Sequence, residues 1–382
     1  MRFLLFYGSV DSLNHYTDAI EMRLRELEHE TYIVDTVKFD ENEVLKWVSA
    51  TVHGAILFDG IGFWMKELFD KLHIPVINIL VDHPMTFGYC MKSPPQKYIQ
   101  FSPDEYHVEF SKRFYNIENT FFLPHMGTLF EKNRDTFIVK EIPLLFGGWY
   151  KPYNESYQII KSNYPDKIKL LFFEVITLLL ERNYLPLEIA FEQCLENLGW
   201  EISDKQLASA LRLAKPVDEF IRMYYRSRVL ETIIKSGMPI TIIGAGWEKF
   251  APASMKNVHR LSRVNFKDME QYMQRAEIVL NVMPWFKAGT HERIFNALLC
   301  GACPFTDSNP WLLEHFPEKE MCMYYSLGEL DRIPMQIYDL HNDASLRAKV
   351  ISQGKEYVLR DYSSEKIVDI ILRKLEECYG YK

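Results

Sequence analysis

Several familiar features are scarce in this chain, and each scarcity narrows the choice. Six cysteines in 382 residues form no dense framework, which fits a reducing compartment better than a disulfide-stapled secreted fold. Cys300 and Cys303 spell C-x-x-C, but no second pair lies at zinc spacing. The motif also ends a helix rather than starting one, so a pair of small buried residues accounts for it. No stretch reaches the roughly 18 uninterrupted apolar residues that span a bilayer. The nearest, residues 170–180, is broken by Glu174 and followed by Glu181 and Arg182. The N-terminal MRFLLFYGS is too short an apolar run for a signal peptide, so a cytoplasmic location is expected. There is no low-complexity run, no repeat of fixed period and no Asp-x-Asp triplet of the kind that holds a metal-bound diphosphate. Positive charge is in deficit, with a net charge of −8. That balance disfavours a general nucleic-acid or anionic-membrane binder, one basic cleft excepted.

What remains is globular: 48% of residues are hydrophobic and 14% aromatic. The length suits two domains with ample apolar surface. The aromatic content fits either a carbohydrate-handling surface or an aromatic-rich core. In the first part of the chain, apolar runs at 2–7, 31–34, 54–58 and 75–81 alternate with helical patterns at 16–27 and 64–72. Alternation of this kind predicts a parallel sheet with both faces covered. Ligands of such sheets bind beyond the carboxyl ends of the strands. Gly8, Asp59 and the Asp82-His83-Pro84 triplet sit at those ends. A carboxylate and an imidazole there supply a general base or hydrogen bonds to hydroxyls; a turn cap and a packed ring explain the same pair. A polar linker is expected at 130–141, and a new strand at 143–146 ends in Gly147-Gly148. Residues 154–236 read almost wholly as helix, broken at 183–187 and 199–203. Arg222 and Arg226 share a face of its last helix, Arg228 does not, and a solvated basic face accounts for them. The strand at 239–243 ends in Gly244-Ala245-Gly246-Trp247, which lacks the third glycine of a dinucleotide fingerprint. Lys249, just beyond, suits either a phosphate contact or an ordinary surface position.

The densest signal is residues 281–316. A strand ending in Val282 and Met283 runs into a short loop with Pro284, Lys287 and Gly289. Thr290 then stands where a helix N-cap is expected, ahead of the helix His291–Leu299. Gly301 stops that helix, residues 303–305 form a strand, and Asp307 to Pro310 form a turn. Strand, loop and helix N-terminus together make an anion site, because free amides and the helix dipole point at the ligand. Lys287, His291 and Arg293 surround that point. A βαβ unit with solvated charges explains the pattern equally well.

The stretch resembles the donor-binding segment of GT-B glycosyltransferases, and in particular the group with CgeB-like (glycosyl transferases group 1 type) C-terminal domains. His291-Glu292-Arg293-Ile294-Phe295, Cys300-Gly301-Ala302 and Thr306-Asp307 carry the likeness. Asp82-His83-Pro84, then Asp104 and His107, then Pro124-His125-Met126-Gly127, extend it into the first part of the chain. One departure stands out. The broader retaining pattern places two glutamates eight residues apart, where this chain has Ala288 and Asn296. The resemblance implies an α/β GT-B fold: two Rossmann-like domains facing a cleft, with a helical insertion at 154–236 in the second. The expected bounds are 1–138 for an acceptor-side domain and 139–360 for a nucleotide-sugar domain, with 361–382 crossing back to the first. It also implies a cytoplasmic, bacterial hexosyltransferase that uses a nucleotide sugar, a UDP-sugar first among them, as co-substrate, with no metal and no other cofactor. His83 and Asp82 are then the catalytic candidates. Gly8, Asp59, His125, Gly148, Gly246, Trp247, Lys249, Lys287, Gly289, Thr290, His291, Glu292, Arg293, Asn296 and Asp307 are the candidates for binding substrate. The acceptor is left open among glycan, protein and small molecule. An epimerase or hydrolase of the same fold and a non-catalytic nucleotide-sugar binder are the rival readings, the second favoured by the missing glutamates.

Overall fold

The computed structural model describes residues 1–129 and 138–381. Most of the linker expected at 130–141 lies outside the described residues. Two compact units emerge, one made of the chain up to that linker together with Leu359 onward, the other of the chain between.

The first unit is built on a parallel sheet. Its strands are β1 (Arg2–Tyr7), β2 (Glu30–Asp35), β3 (Gly54–Phe58), β4 (Val76–Ile79), β5 (Tyr98–Ser102) and β6 (Thr120–Phe122), in the spatial order β2-β1-β3-β4-β5-β6. Phe3 to Phe6 are no more than 1% exposed, as expected of strands covered on both faces. The chain reverses its direction of travel across the sheet between β1 and β3, which places Gly8 and Asp59 at a switch point of the kind that binds ligands. Two polar strand residues are carried inside by a closed network: Asn78 donates to the Tyr98 hydroxyl at 2.9 Å, and Gln100 donates to Ser111 at 2.7 Å. The C-terminal helix Ser364–Tyr379 belongs to this unit. It packs on the helix Asp11–Glu26, with Arg23 and Asp369 paired at 3.6 Å, and Tyr379 donates to the Tyr98 carbonyl.

The second unit holds β7 (Ile142–Gly147), β8 (Ile240–Ile243), β9 (Val258–Leu261), β10 (Ala276–Asn281), β11 (Cys303–Asp307) and β12 (Met323–Tyr325). Their order is β12-β11-β10-β7-β8-β9, again all parallel. Here the switch point falls between β7 and β10. Five helices from Tyr153 to Lys235 lie between β7 and β8. Their boundaries follow local chemistry. Ser203 and Gln206 form a reciprocal capping box, and Pro165 and Pro186 sit just ahead of helix starts.

The cysteines behave as core residues. Cys300 and Cys303 are buried, and burial pushes both thiols well above the usual range. Among the six, Cys378 alone is partly exposed. A thiol reagent such as Ellman's is therefore expected to label one site per native chain at pH 8 and all six after unfolding. Early labelling of two or more would show that the Cys300–Cys303 pair is accessible.

Candidate functional site

The carboxyl ends of β7 and β10 carry the most charged interior of the second unit. β10 ends at Asn281, and the helix Glu292–Leu299 starts eleven residues later. The cap is His291, in extended conformation, and Thr290 lies one residue outside it. The expected cap at Thr290 is thus displaced by one. Thr290 is fully buried, and its hydroxyl makes no hydrogen bond within the protein. The His291 Nδ1 lies 3.3 Å from the Arg293 amide and 2.6 Å from a Glu292 carboxylate oxygen. The shorter contact, to a carboxylate, needs a proton on Nδ1. In that form His291 orients Glu292, and its Nδ1 accepts nothing from the Arg293 amide.

Arg293 turns back over the sheet, and its Nη1 donates to the Asn281 side chain at 2.6 Å. Asn281 in turn donates to Thr306 at 3.0 Å. The Arg293 guanidinium lies 6.0 Å from the centre of the Phe146 ring, and Arg226 lies 5.7 Å from the same ring. Arg226 comes from the long helix Lys215–Lys235 and is 4% exposed. One nitrogen donates to the Trp149 carbonyl, and Nε is buried without a hydrogen-bond partner. Among the described residues no carboxylate pairs with it. Burial first, and then the charges of Arg293 and Arg222, pull its guanidinium down to about 9. Arg222, one turn earlier, is paired with Asp218 at 2.8 Å and lies 4.2 Å from the Trp285 ring.

The solvated basic face expected here is therefore wrong for Arg226 and incomplete for Arg222. The missed signal was positional. Arg226, Val229, Leu230 and Ile233 fall on one helical stripe, and the three apolar members are all fully buried. An arginine in that stripe is held almost wholly out of water. A buried cation without an acid partner, as Arg226 is among the described residues, is costly inside a protein, and the nearby charges of Arg293 and Arg222 add repulsion. An anion relieves both costs.

Other expected site residues serve the scaffold. Asp307 is 4% exposed and accepts the Met283 amide at 2.8 Å; burial raises its carboxyl to about 6. It ties β11 to the end of β10 instead of facing a ligand. The Lys287 ammonium donates to the carbonyls of Pro284 and Asn183, bracing the loop against the helical insertion. The Gly289 carbonyl accepts from Asn309, which also holds Phe286 and caps the next helix at Leu312. Asn309 is thus the staple of this loop. Asn296, on the helix Glu292–Leu299, is 4% exposed.

The Gly-x-Gly-Trp segment is also structural. Gly246 has φ +87°, and a Cβ there would stand 2.0 Å from the Tyr150 carbonyl oxygen; at Gly244 it would stand 2.0 Å from that of Gly148. These glycines let the turns after β7 and β8 touch backbone to backbone. The Trp247 indole donates to the Gly148 carbonyl at 2.7 Å, stacks on Tyr150 and is 1% exposed. Gly148, Gly246 and Trp247 therefore shape the rim and present no side chain to a substrate. Lys249 is exposed and pairs with Glu155 at 3.5 Å.

In the first unit, Gly8 is held by reciprocal bonds with the Asn14 side chain. Asp59 takes a left-handed conformation, φ +50°, and accepts the Val81 amide at 2.9 Å. Burial, with a smaller push from Asp82, raises its carboxyl to about 7. Asp82 accepts the backbone amide of His83 at 2.9 Å. The His83 Nδ1 accepts the Met85 amide at 3.1 Å, which assigns the proton of the neutral ring to Nε2. That form donates a hydrogen bond and does not act as a base. The ring packs against His107 and Phe110, with centroids 4.4 and 4.7 Å away, and His125 is also buried.

Comparison with known proteins places this geometry. Residues 226–373 match the family described as "Glycosyl transferase-like". None of the curated proteins matches the chain in sequence. Among solved structures, sucrose-phosphate synthase from Thermosynechococcus elongatus aligns with a TM-score of 0.58 at 7% identity, over 100% of this chain and 99% of that one. HepE from Anabaena, solved with UDP and glucose, aligns at 0.56 and 10% identity, over 99% and 100%. An α-glucosyltransferase solved with UDP and a 13-mer DNA aligns at 0.57 and 13% identity, over 98% and 99%. At such identities the likeness shows the fold, two doubly wound parallel sheets in GT-B arrangement.

Proposed function

We propose that this chain, a glycosyltransferase of the GT-B fold, draws its sugar from a UDP-sugar held on the second unit. The observation that carries the reading is the buried arginine group. Arg226 and Arg293 share the Phe146 ring at the β7/β10 switch point, and Arg226 has no carboxylate among the described residues. A diphosphate is the dianionic ligand that such a group fits. Uridine is the base because HepE and the α-glucosyltransferase were solved with UDP.

In the proposed reaction an acceptor hydroxyl oxygen forms a bond to the anomeric carbon as the bond from that carbon to the diphosphate oxygen breaks, and the hydroxyl proton passes to the departing diphosphate. Negative charge develops on that oxygen as UDP leaves. Arg226 and Arg293 are already in place, and Arg226 is already desolvated, so they stabilise the developing charge without reorganising. The amides of the first turn of the Glu292–Leu299 helix add to this field. These charges fill the role a metal plays elsewhere, and the reaction is proposed to run without one. His83, as an Nε2–H donor, is proposed to meet a sugar hydroxyl; Asp59 and Asp82 are proposed to meet the acceptor. Because Ala288 and Asn296 replace the glutamate pair of the retaining pattern, transfer with retention does not rest on that pair here.

Titration calorimetry with UDP and with UDP-glucose, in EDTA and then with added Mg²⁺, tests the reading. Binding of UDP in EDTA, unchanged by Mg²⁺, is expected. Binding only with Mg²⁺ would overturn the metal-independent part. Absence of UDP binding under both conditions would overturn the donor assignment. Slow loss of UDP-glucose to free glucose without an acceptor, at a rate no acceptor increases, would favour a hydrolase.

A further inference from the structure

We propose, on the premise of sugar transfer, that the carboxyl edge of the first sheet binds a neutral saccharide acceptor through an exposed aromatic strip. The rings come from three turns. Phe39 follows β2, Phe63 and Trp64 follow β3, and Tyr89 follows β4. Trp64 is 58% exposed and Tyr89 59%, high values for large rings, matched elsewhere in the chain by Tyr184 and Tyr338. They are connected. Phe39 and Trp64 meet at 4.6 Å and 88°, and Phe63 and Tyr89 meet at 6.2 Å and 89°. The Tyr89 hydroxyl donates to the Asp59 carbonyl, fixing that ring to the β3 turn. Contiguous exposed apolar surface at a ligand-binding edge marks a recognition site.

The chemistry around the rings selects the occupant. Among the described residues, the turns after β1 to β4 and the first residues of the helices beyond them expose or half-bury Asp11, Asp40, Glu41, Asp59 and Asp82 against Lys38 and Lys66. A field of that sign repels phosphates and other anions, which disfavours nucleic acid and acidic lipid. A lipid tail would find carboxylates in its path. A pyranose fits both features, since its axial C–H face packs on a flat ring while its hydroxyls donate to carboxylates. Tyr and Trp suit this role because each joins a broad apolar face to a polar tip.

The test uses full-length protein, fluorescently labelled, on an array of neutral and anionic glycans, with a DNA duplex as a further probe. UDP calorimetry runs in parallel. Expected is binding to a set of neutral glycans, weakened at least tenfold in Trp64→Ala and Tyr89→Ala, while both variants keep the wild-type melting temperature and UDP affinity. Trp64→Phe, which keeps a flat ring, is expected to restore most of the binding. Normal UDP binding with no neutral glycan bound overturns the acceptor class and leaves the donor reading standing. Preferential binding of anionic glycans or of the duplex overturns it as well, as does glycan binding that ignores both alanine variants. Glycan binding without UDP binding would uphold the strip and sink the donor reading.

Discussion

Arg226→Met abolishes UDP binding, by more than about a hundredfold, and leaves the unliganded protein at least as resistant to heat as the wild type. The two halves of this expectation have one cause. Arg226 is a guanidinium taken out of water, given one carbonyl acceptor and set beside the charges of Arg293 and Arg222. In the empty protein that arrangement costs energy, and replacing buried charges with apolar side chains of like volume is often neutral or stabilising by about 1–4 kcal/mol. Methionine keeps the volume against Phe146 and Trp149 and removes the repulsion. It also removes a desolvated contact to the diphosphate, and charge-assisted bonds of that kind are each worth about 1.5–3 kcal/mol or more. The ligand-induced rise in melting temperature should therefore vanish in the variant, since that rise depends on ligand concentration over Kd. A variant that melts several degrees lower and still binds UDP would mean that Arg226 is a structural residue whose charge the fold has already neutralised.

That arginine also shows where sequence reasoning stops. Runs such as Phe3–Phe6, Gly54–Phe58 and Ile240–Ile243 are buried on both faces of parallel sheets, so their apolar character marks them directly. Two breaks of the helical insertion are equally plain, because Pro186 and Gly199 punctuate them, but the break at Tyr164-Pro165 was missed. β5 leaves a weaker trace: Gln100 and Ser102 are polar yet fully buried, and Gln100 is satisfied by Tyr98 on its own strand and by Ser111 on the helix that follows. The helix Glu41–Trp47 buries only Val44 and so has no periodicity to detect. At the site, the loop-to-helix segment 284–299 was legible, but its assignments moved. Lys287 and Asp307 looked like ligand contacts by charge and position; each is committed to backbone atoms of neighbouring elements. Gly246 and Trp247, candidates by resemblance alone, build the backbone crossing between the turns after β7 and β8. Charge in a sequence shows that a group must be neutralised. Whether a ligand or the fold does so depends on contacts between segments far apart in the chain.

Asp59→Asn flattens the pH dependence of stability, and the direction of its effect is opposite to that of most carboxylate losses. The Asp59 carboxyl is raised to about 7 by burial, with Asp82 adding to it, against about 3.9 for an unfolded aspartate. Between those values the folded state binds more protons than the unfolded state. Stability therefore falls as pH rises from about 4 to about 7, and the full penalty is present above 7. About three pKa units at ~1.36 kcal/mol each set an upper bound near 4 kcal/mol. Asparagine keeps the oxygen that accepts the Val81 amide and tolerates φ +50°. The variant should match the wild type near pH 4 and melt several degrees higher at pH 8. Asp307, raised to about 6, contributes a separate slope that the variant retains. Parallel melting curves for the two proteins from pH 4 to 8 would place the Asp59 carboxyl in water. If the slope does change, Asp59 is a group that exchanges its proton near neutrality at a switch point of the first sheet. There it is able to accept a hydrogen bond from an acceptor hydroxyl when ionised and to donate one when protonated. Transfer rate in the same variant, measured against pH, then separates a titrating role from a purely structural one. A rate profile that keeps its shape in Asp59→Asn assigns the residue to the scaffold, and one that loses an inflection near 7 assigns it to the reaction.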